Sequence, residues 1–289
     1  MDLLVNIILN GLSTGVLIFM LAAGLTLIFG LMDVLNFSHG ALFLWGLYCG
    51  IWVYGVTDSF IVGIVASIVA GMALGFILER FIIKPVYGNH IQQILITLGA
   101  MLVLSELVKV VWGPNIIHAA SPTYLQGSWE LGNILLIKYR LFIIVVGFII
   151  FAGLLFLLNK TKIGLIVRAG VMDKEMVQAL GINIRKVFIF VFMLGAGMAG
   201  FAGMLFGPFS GVVYAELGLE YGILAFIVVV IGGMGSVTGS MIAALLVGVL
   251  GALAAYFTPD LALAVNFLLM IIILIFKPSG IMGAKGAMN

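Results

Sequence analysis

Long apolar stretches of this chain contain no Asp, Glu, Lys or Arg: residues 3–32, 34–57, 59–78, 85–105, 141–159, 187–215 and 221–259. Each reaches the roughly 17 to 25 residues that a helix needs to cross the hydrocarbon of a bilayer. Over the whole sequence only 8% of residues are charged and 64% are hydrophobic, whereas soluble domains carry about a quarter charged residues. A soluble fold is excluded, and the expected class is an all-α, polytopic transmembrane helical bundle. The single cysteine, Cys49, rules out an intramolecular disulfide framework and sits in apolar sequence as a packing residue.

The spans fall near residues 5–29, 38–55, 60–82, 91–112, 140–158, 187–209, 221–257 and 261–276. The seventh is too long for one pass and is interrupted at Gly232-Gly233-Met234-Gly235-Ser236. It reads as a descending half-helix, a break and an ascending helix, giving about eight spans in one transmembrane domain over residues 1–289. With the N-terminus outside and the C-terminus cytoplasmic, ten basic residues face the cytoplasm: Arg80, Lys84, Lys160, Lys162, Arg168, Lys174, Arg185, Lys186, Lys277 and Lys285. Lys109, Lys138 and Arg140 remain outside, a bias that follows the retention of Lys and Arg on the cytoplasmic side. Asp2 precedes the first span without a basic n-region or a small-residue cleavage site, so this span is read as retained. Residues 113–138 form the expected external loop and residues 159–186 a cytoplasmic one.

The cytoplasmic loop is polar and basic, and its punctuation predicts a helix of about two turns. Asp173 is placed to cap it, Glu175 sits where the helix dipole favours a carboxylate, and Gly181 supplies a left-handed terminus. Met172, Met176, Ala179 and Leu180 share one side as an apolar ridge. That ridge either rests on neighbouring spans or docks into a groove on a partner, a task to which flexible methionine is suited.

Two polar interruptions stand in the apolar sequence. Asp33, Asn36, Ser38 and His39 lie between Gly30 and Gly40, where polar groups are costly unless they face water or one another. Asn36 and Ser38 are candidate N-caps, so the segment reads as a break with a half-helix N-terminus pointing into the protein; an ordinary interfacial turn is the alternative. The stretch Gly232 to Ser236 repeats the grammar, with Ser236 or Thr238 as the next cap. Paired interruptions in two halves of a membrane chain point to a translocation site at a repeat interface, although no residue-for-residue repeat is evident. Gly195, Gly197, Gly200 and Gly203 read as packing positions on the sixth span.

Three blocks carry a resemblance: GLMDVLNFSHGALFLWGLYCG from Gly30, TKIGLIVRAGVMDKEMVQALGINIRKV from Thr161 and IGGMGSVTGSMIAALLVG from Ile231. Their order resembles the permease subunit of a branched-chain amino-acid ABC importer, the LivH type, in the binding-protein-dependent permease family that includes ribose permeases. The similarity covers nearly the whole chain, the external stretch least. The resemblance implies that Arg168, Met172, Asp173, Glu175, Met176, Ala179, Leu180 and Gly181 contact an ATPase. It also implies that Asn36, Ser38, His39, Gly232, Gly233 and Ser236 lie along the substrate path, in alternating access driven by ATP. The partners it implies are two ATPase subunits, a second homologous permease or a second copy of this chain, and a periplasmic substrate-binding protein; none is a nucleic acid.

No GxxxxGK[ST] phosphate loop occurs, so no cofactor is expected on this chain, and ATP and Mg belong to the ATPase partners. Branched-chain amino acids are the favoured substrate, with urea, short amides or small carboxylates as competitors. Glu106 and Lys109 read as a structural pair, and His39, His90 and His118 form no metal set. A passive half-helix channel would leave the amphipathic cytoplasmic helix without a task. An enzyme would need a convergent nucleophile, base or metal site that the scattered ionisable residues do not offer.

Overall fold

The computed structural model describes residues 2–131, 134–172 and 174–283. Its helices are α1 (Asp2–Met32), α2 (His39–Thr57), α3 (Phe60–Ile77), α4 (His90–Trp112), α5 (Lys138–Lys160), α6 (Lys162–Met172), α7 (Lys174–Ala179), α8 (Ile184–Ser210), α9 (Leu217–Gly232), α10 (Val237–Phe257) and α11 (Ala262–Phe276). Short strands lie in the connections: β1 (Ile117–His118) pairs antiparallel with β4 (Val212–Val213), and β2 (Ser128–Leu131) with β3 (Ile134–Ile137). Among the described residues, seven helices are long and apolar enough to cross a membrane, and α9 and α11 are shorter apolar ones. The all-α polytopic class is therefore the observed one, and the long seventh span divides at residues 233–236 into α9 and α10. Two features differ from the sequence reading. The 113–138 connection contains strands, and the 159–186 connection holds two helices, because α6 precedes the expected one.

Within hydrocarbon there is little hydrophobic drive between helices, so close backbone approach supplies the packing. α1 is the central helix, completely buried from Val16 to Ala23 apart from slight exposure of Leu17 and Ile18, while α4 and α5 lie at the periphery. α8 gathers three neighbours through its glycines. A Cβ on Gly24 of α1 would overlap the Gly195 carbonyl, one on Gly200 would overlap the Ser67 carbonyl of α3, and one on Gly203 the Phe43 carbonyl of α2. The packing role read for these positions holds. α1 runs antiparallel to α10 in the same manner, with Gly11 against Val249, Gly15 against Ala244 and Gly30 against Gly235.

The contacts reveal an inverted repeat that the residues do not display. α1 to α4 and α8 to α11 each consist of a long helix, a six-residue non-helical return (33–38 and 211–216), a shorter helix and two further helices. α1 packs along the third helix of the other half, α10, as α8 packs along α3. The two short helices, α2 and α9, meet through their first turns, where Gly40 lies against Gly218 and Gly222.

Gly200→Leu forces a side chain into the Ser67 backbone, and overpacking of this kind costs about 1–3 kcal/mol. Its thermal midpoint in mild detergent falls accordingly, whereas Gly153→Ala, which meets nothing within 4 Å, stays within about 0.5 kcal/mol of wild type.

Candidate functional site

The return at 33–38 begins where α1 ends. Asp33 closes the helix in a left-handed conformation, φ 55°, and its carboxylate lies 3.4 Å from His90 Nε2 at the end of the bundle that carries the basic residues. The chain then climbs back between α1 and α4. Extended backbone at this depth has no helical partners, and side chains one turn apart on α4 replace them. Leu35 N–H donates to Gln93 Oε1 at 3.3 Å and Phe37 N–H to Thr97 Oγ1 at 3.1 Å. Irregular backbone is tolerated inside a membrane where protein satisfies it in this way.

Asn36, Ser38 and His39 are buried together above that brace. Asn36 Oδ1 accepts from the Ser38 N–H at 3.1 Å and the Ser38 hydroxyl at 2.5 Å. The Ser38 side chain therefore does not cap α2, although Ser38 holds the cap position. His39 Nε2 lies 3.0 Å from the Leu21 carbonyl, which only accepts, so Nε2 carries the proton. Leu21 stands eleven residues before Met32 on α1, which at about 1.5 Å per residue puts the start of α2 roughly 16 Å inside the basic end of α1. The segment is thus a re-entrant half-helix entry, not an interfacial turn.

The second break has a different setting. Gly233 and Gly235 take left-handed φ values of 98° and 87°, and Ser236 Oγ accepts from Gly239 N–H at 3.1 Å, capping α10 as expected. Ile281 N–H and Met282 N–H donate to the carbonyls of Ile231 and Gly232 at 2.8 and 3.0 Å, so residues 280–283 cover this turn. Gly232, Gly233 and Ser236 therefore sit near the level of Gly30, below Asn36, Ser38 and His39, and the two groups are not brought into contact. Between these levels Ser240 and Thr26 share a buried hydroxyl hydrogen bond of 2.7 Å across α1 and α10. Sequence reasoning passed over this pair, whose signal was two hydroxyl residues inside apolar spans. It also passed over Glu79, buried in a π-helical turn at Leu78–Ile83, where it accepts from the Tyr87 hydroxyl at 2.6 Å.

At the basic end, α6 and α7 lie against the ends of α1 and α8. Gly170 faces Leu31 and Ile184, and Val177 is buried. Ile182 N–H reaches the Val177 carbonyl and Gly181 N–H that of Gln178, with Gly181 at φ 79°, the double closure of a Schellman motif. Glu175, Met176, Ala179, Leu180 and Gly181 are exposed, Leu180 by 74%, so the ridge presents Ala179 and Leu180 outward. Arg168 is held by Asn159 Oδ1 at 3.2 Å. Asp173, and with it the expected cap, lies outside the described residues, as does the side chain of Met172. A cavity of about 330 Å³ separates α6 from α1, bordered by Thr26, Leu31, Val167, Arg168 and Gly235.

At the opposite end, Lys109 Nζ lies 2.9 Å from Glu106 and 3.0 Å from Glu216, extending the expected pair to a triad. Lys109 holds the Glu216 carboxyl below the usual carboxylate range. Because the folded value is the lower one, the pair's contribution is complete at neutral pH and is lost only as the pH falls through that depressed value.

A multi-pass helical bundle with inverted halves, returns at two depths and an exposed helix pair at its basic end is a membrane transport subunit of the permease class. Residues 7–274 match the family described as branched-chain amino acid transport system, permease component, and the chain belongs to that family. It is 30% identical to the high-affinity branched-chain amino acid transport system permease protein LivH of Salmonella typhimurium, over 95% of this chain and 94% of that one. It is 31% identical to the BraD permease protein of Pseudomonas aeruginosa, over 96% and 94%. It is 27% identical to the LivM permease protein of Escherichia coli, over 91% of this chain and 67% of LivM.

Thr97→Val leaves the Phe37 N–H without its acceptor, which costs about 1–3 kcal/mol. The thermal midpoint of the purified chain in detergent falls for Thr97→Val and is largely retained in Thr97→Ser, which keeps the hydroxyl.

Proposed function

We propose that this chain is the transmembrane permease of an ATP-binding-cassette importer that moves branched-chain amino acids into the cytoplasm. The observation that carries this reading is the exposed apolar and charged face of α6 and α7, set on the ends of α1 and α8 in a chain of this permease family. An exposed ridge of Met176, Ala179 and Leu180 at a basic membrane end is fitted to a groove on a soluble partner. One of two ATPase subunits docks at that position and the pair hydrolyses ATP with Mg; the chain itself is not an enzyme. Gly170 against Leu31 gives the docked partner a direct mechanical route to α1, which ends at the 33–38 return. Asn36, Ser38 and His39, at the start of α2, and Gly232, Gly233 and Ser236, at the turn between α9 and α10, lie along the substrate path at two levels.

The likeness to both LivH and LivM supports a second, homologous permease as the partner within the membrane. A periplasmic binding protein delivers the substrate at the end that carries Lys109. The basic end faces the cytoplasm of a bacterial inner membrane, with the N-terminus outside and the C-terminus cytoplasmic.

Purification of the tagged chain from mild detergent retains an ATPase and a second permease. Ala179→Asp and Leu180→Asp reduce ATPase retention by roughly tenfold or more, as expected for charges buried in an apolar interface, while leaving the second permease bound. Recovery of this chain alone, even after crosslinking in membranes, overturns the importer reading.

A further inference from the structure

A second cavity, of about 220 Å³, lies at the end of the bundle opposite α6 and α7, where the start of α5 meets the start of α1 and the β3 strand. Leu9, Leu136, Leu141 and Ile144 make most of its wall apolar, and two polar side chains line it, Arg140 of α5 and Asn6 of α1. Leu135 and Ile137 also border it and are exposed, so the cavity continues onto the surface of the molecule.

Neither polar group is satisfied from within the protein. Among the described residues no hydrogen bond or ion pair engages Arg140, whose guanidinium lies over the Phe209 ring, 5.8 Å from its centroid. A ring contact uses the face of the guanidinium and leaves the N–H donors in its plane unengaged. Asn6 Oδ1 is buried and accepts from no donor, a costly state for a polar atom. Arg140 does not serve the helix it begins either. Lys138 and Arg140 both fall in the first turn of α5, which has no acidic residue, and the helix dipole disfavours cations there.

The setting decides what kind of anion Arg140 suits. Trp129 and Leu135 of the β2–β3 hairpin are exposed beside the two basic residues, and Lys138 Nζ lies 5.8 Å from the Trp129 ring centroid. Exposed aromatic rings with basic neighbours at the end of a span belong at headgroup level. An apolar slot with a cation at that level complements a lipid phosphate and the first part of an acyl chain. Asn6 narrows the headgroup: Oδ1 needs a donor, and beside a guanidinium a neutral hydroxyl is favoured over an ammonium.

We infer that this cavity is a binding site for one anionic phospholipid of the phosphatidylglycerol type, in the leaflet at the end opposite α6 and α7. Arg140 takes the phosphodiester through charge-assisted hydrogen bonds. A headgroup hydroxyl donates to Asn6 Oδ1, and the start of an acyl chain lies against Leu9, Leu136 and Ile144. The lipid bridges α1 to α5, the helix that leads from one half of the inverted repeat toward the other. The site stands apart from the substrate path and from the ATPase face.

The chain, purified in mild detergent with the partners it retains, is titrated with dioleoylphosphatidylglycerol. Bound lipid is counted by native mass spectrometry and the thermal midpoint is followed. Wild type is expected to hold one lipid more per copy of this chain than Arg140→Gln, and to gain thermal stability as it binds. Arg140→Gln is expected to raise the half-saturating lipid concentration by about tenfold or more, and Arg140→Lys to recover most of it. Because Arg140 has no protein hydrogen bond, its loss leaves no buried partner behind. Ile144→Trp, which fills the cavity and keeps the guanidinium, is expected to weaken binding as much, whereas Lys138→Gln, which removes a charge from the same turn outside the cavity, leaves it unchanged. A lipid titration indifferent to Arg140→Gln overturns the site, as does an equal loss in Lys138→Gln, which is the mark of general surface charge. A midpoint raised as far by dioleoylglycerol shows apolar filling alone, and one raised as far by inorganic phosphate shows a soluble-anion site; either overturns the lipid. Loss of the second permease from Arg140→Gln with lipid binding unchanged overturns it too, and assigns this face to a protein contact.

Discussion

The constraint on which the rest of this structure depends is that backbone polar groups inside hydrocarbon must find partners in the protein. Helices meet it along most of the chain. Where the chain leaves the helix at residues 33–38, the requirement falls on α4, and Gln93 and Thr97 meet it with an amide oxygen and a hydroxyl. The equivalent return in the other half is met by backbone pairing of Val212 and Val213 with the β1 strand. The half-helices α2 and α9 owe their starting points to these two solutions. Without them, neither helix could begin beside the other at Gly40 and Gly218.

Glycine is the second element of the design. Gly24 against Gly195 joins α1 to α8, the two long helices of the inverted halves, and Gly200 and Gly203 bring α3 and α2 onto α8. A carbonyl in van der Waals contact with a backbone leaves no room for a methyl group. The packing therefore fixes composition at these points more strictly than apolar character does elsewhere.

The spans, the division of the seventh span and the terminator at Gly181 were legible because uncharged length, glycine runs and capping residues are local signals. The inverted repeat was not, because it resides in which helices touch: Gly200 meets Ser67 where Gly15 meets Ala244, and these residue pairs share only small size. The depth of the first break was also hidden, since it depends on His39 reaching Leu21 and on Gln93 and Thr97, polar residues of a distant span. The candidate residues were legible as two polar groups but not as groups at separate levels, because C-terminal residues 280–283 cover only the second. Glu79 and the Thr26–Ser240 pair were visible as single letters, without a local pattern to say that they were buried.

α4 touches both returns. Near its start, Gln93 and Thr97 hold residues 35–37; near its end, Lys109 holds Glu216. Between them, the Trp45 indole N–H donates to the Leu104 carbonyl at 2.9 Å and ties the helix to α2. One helix attached at both ends and pinned between them sets the two returns against a common reference, so the halves of the inverted repeat share α4 as a single spacer.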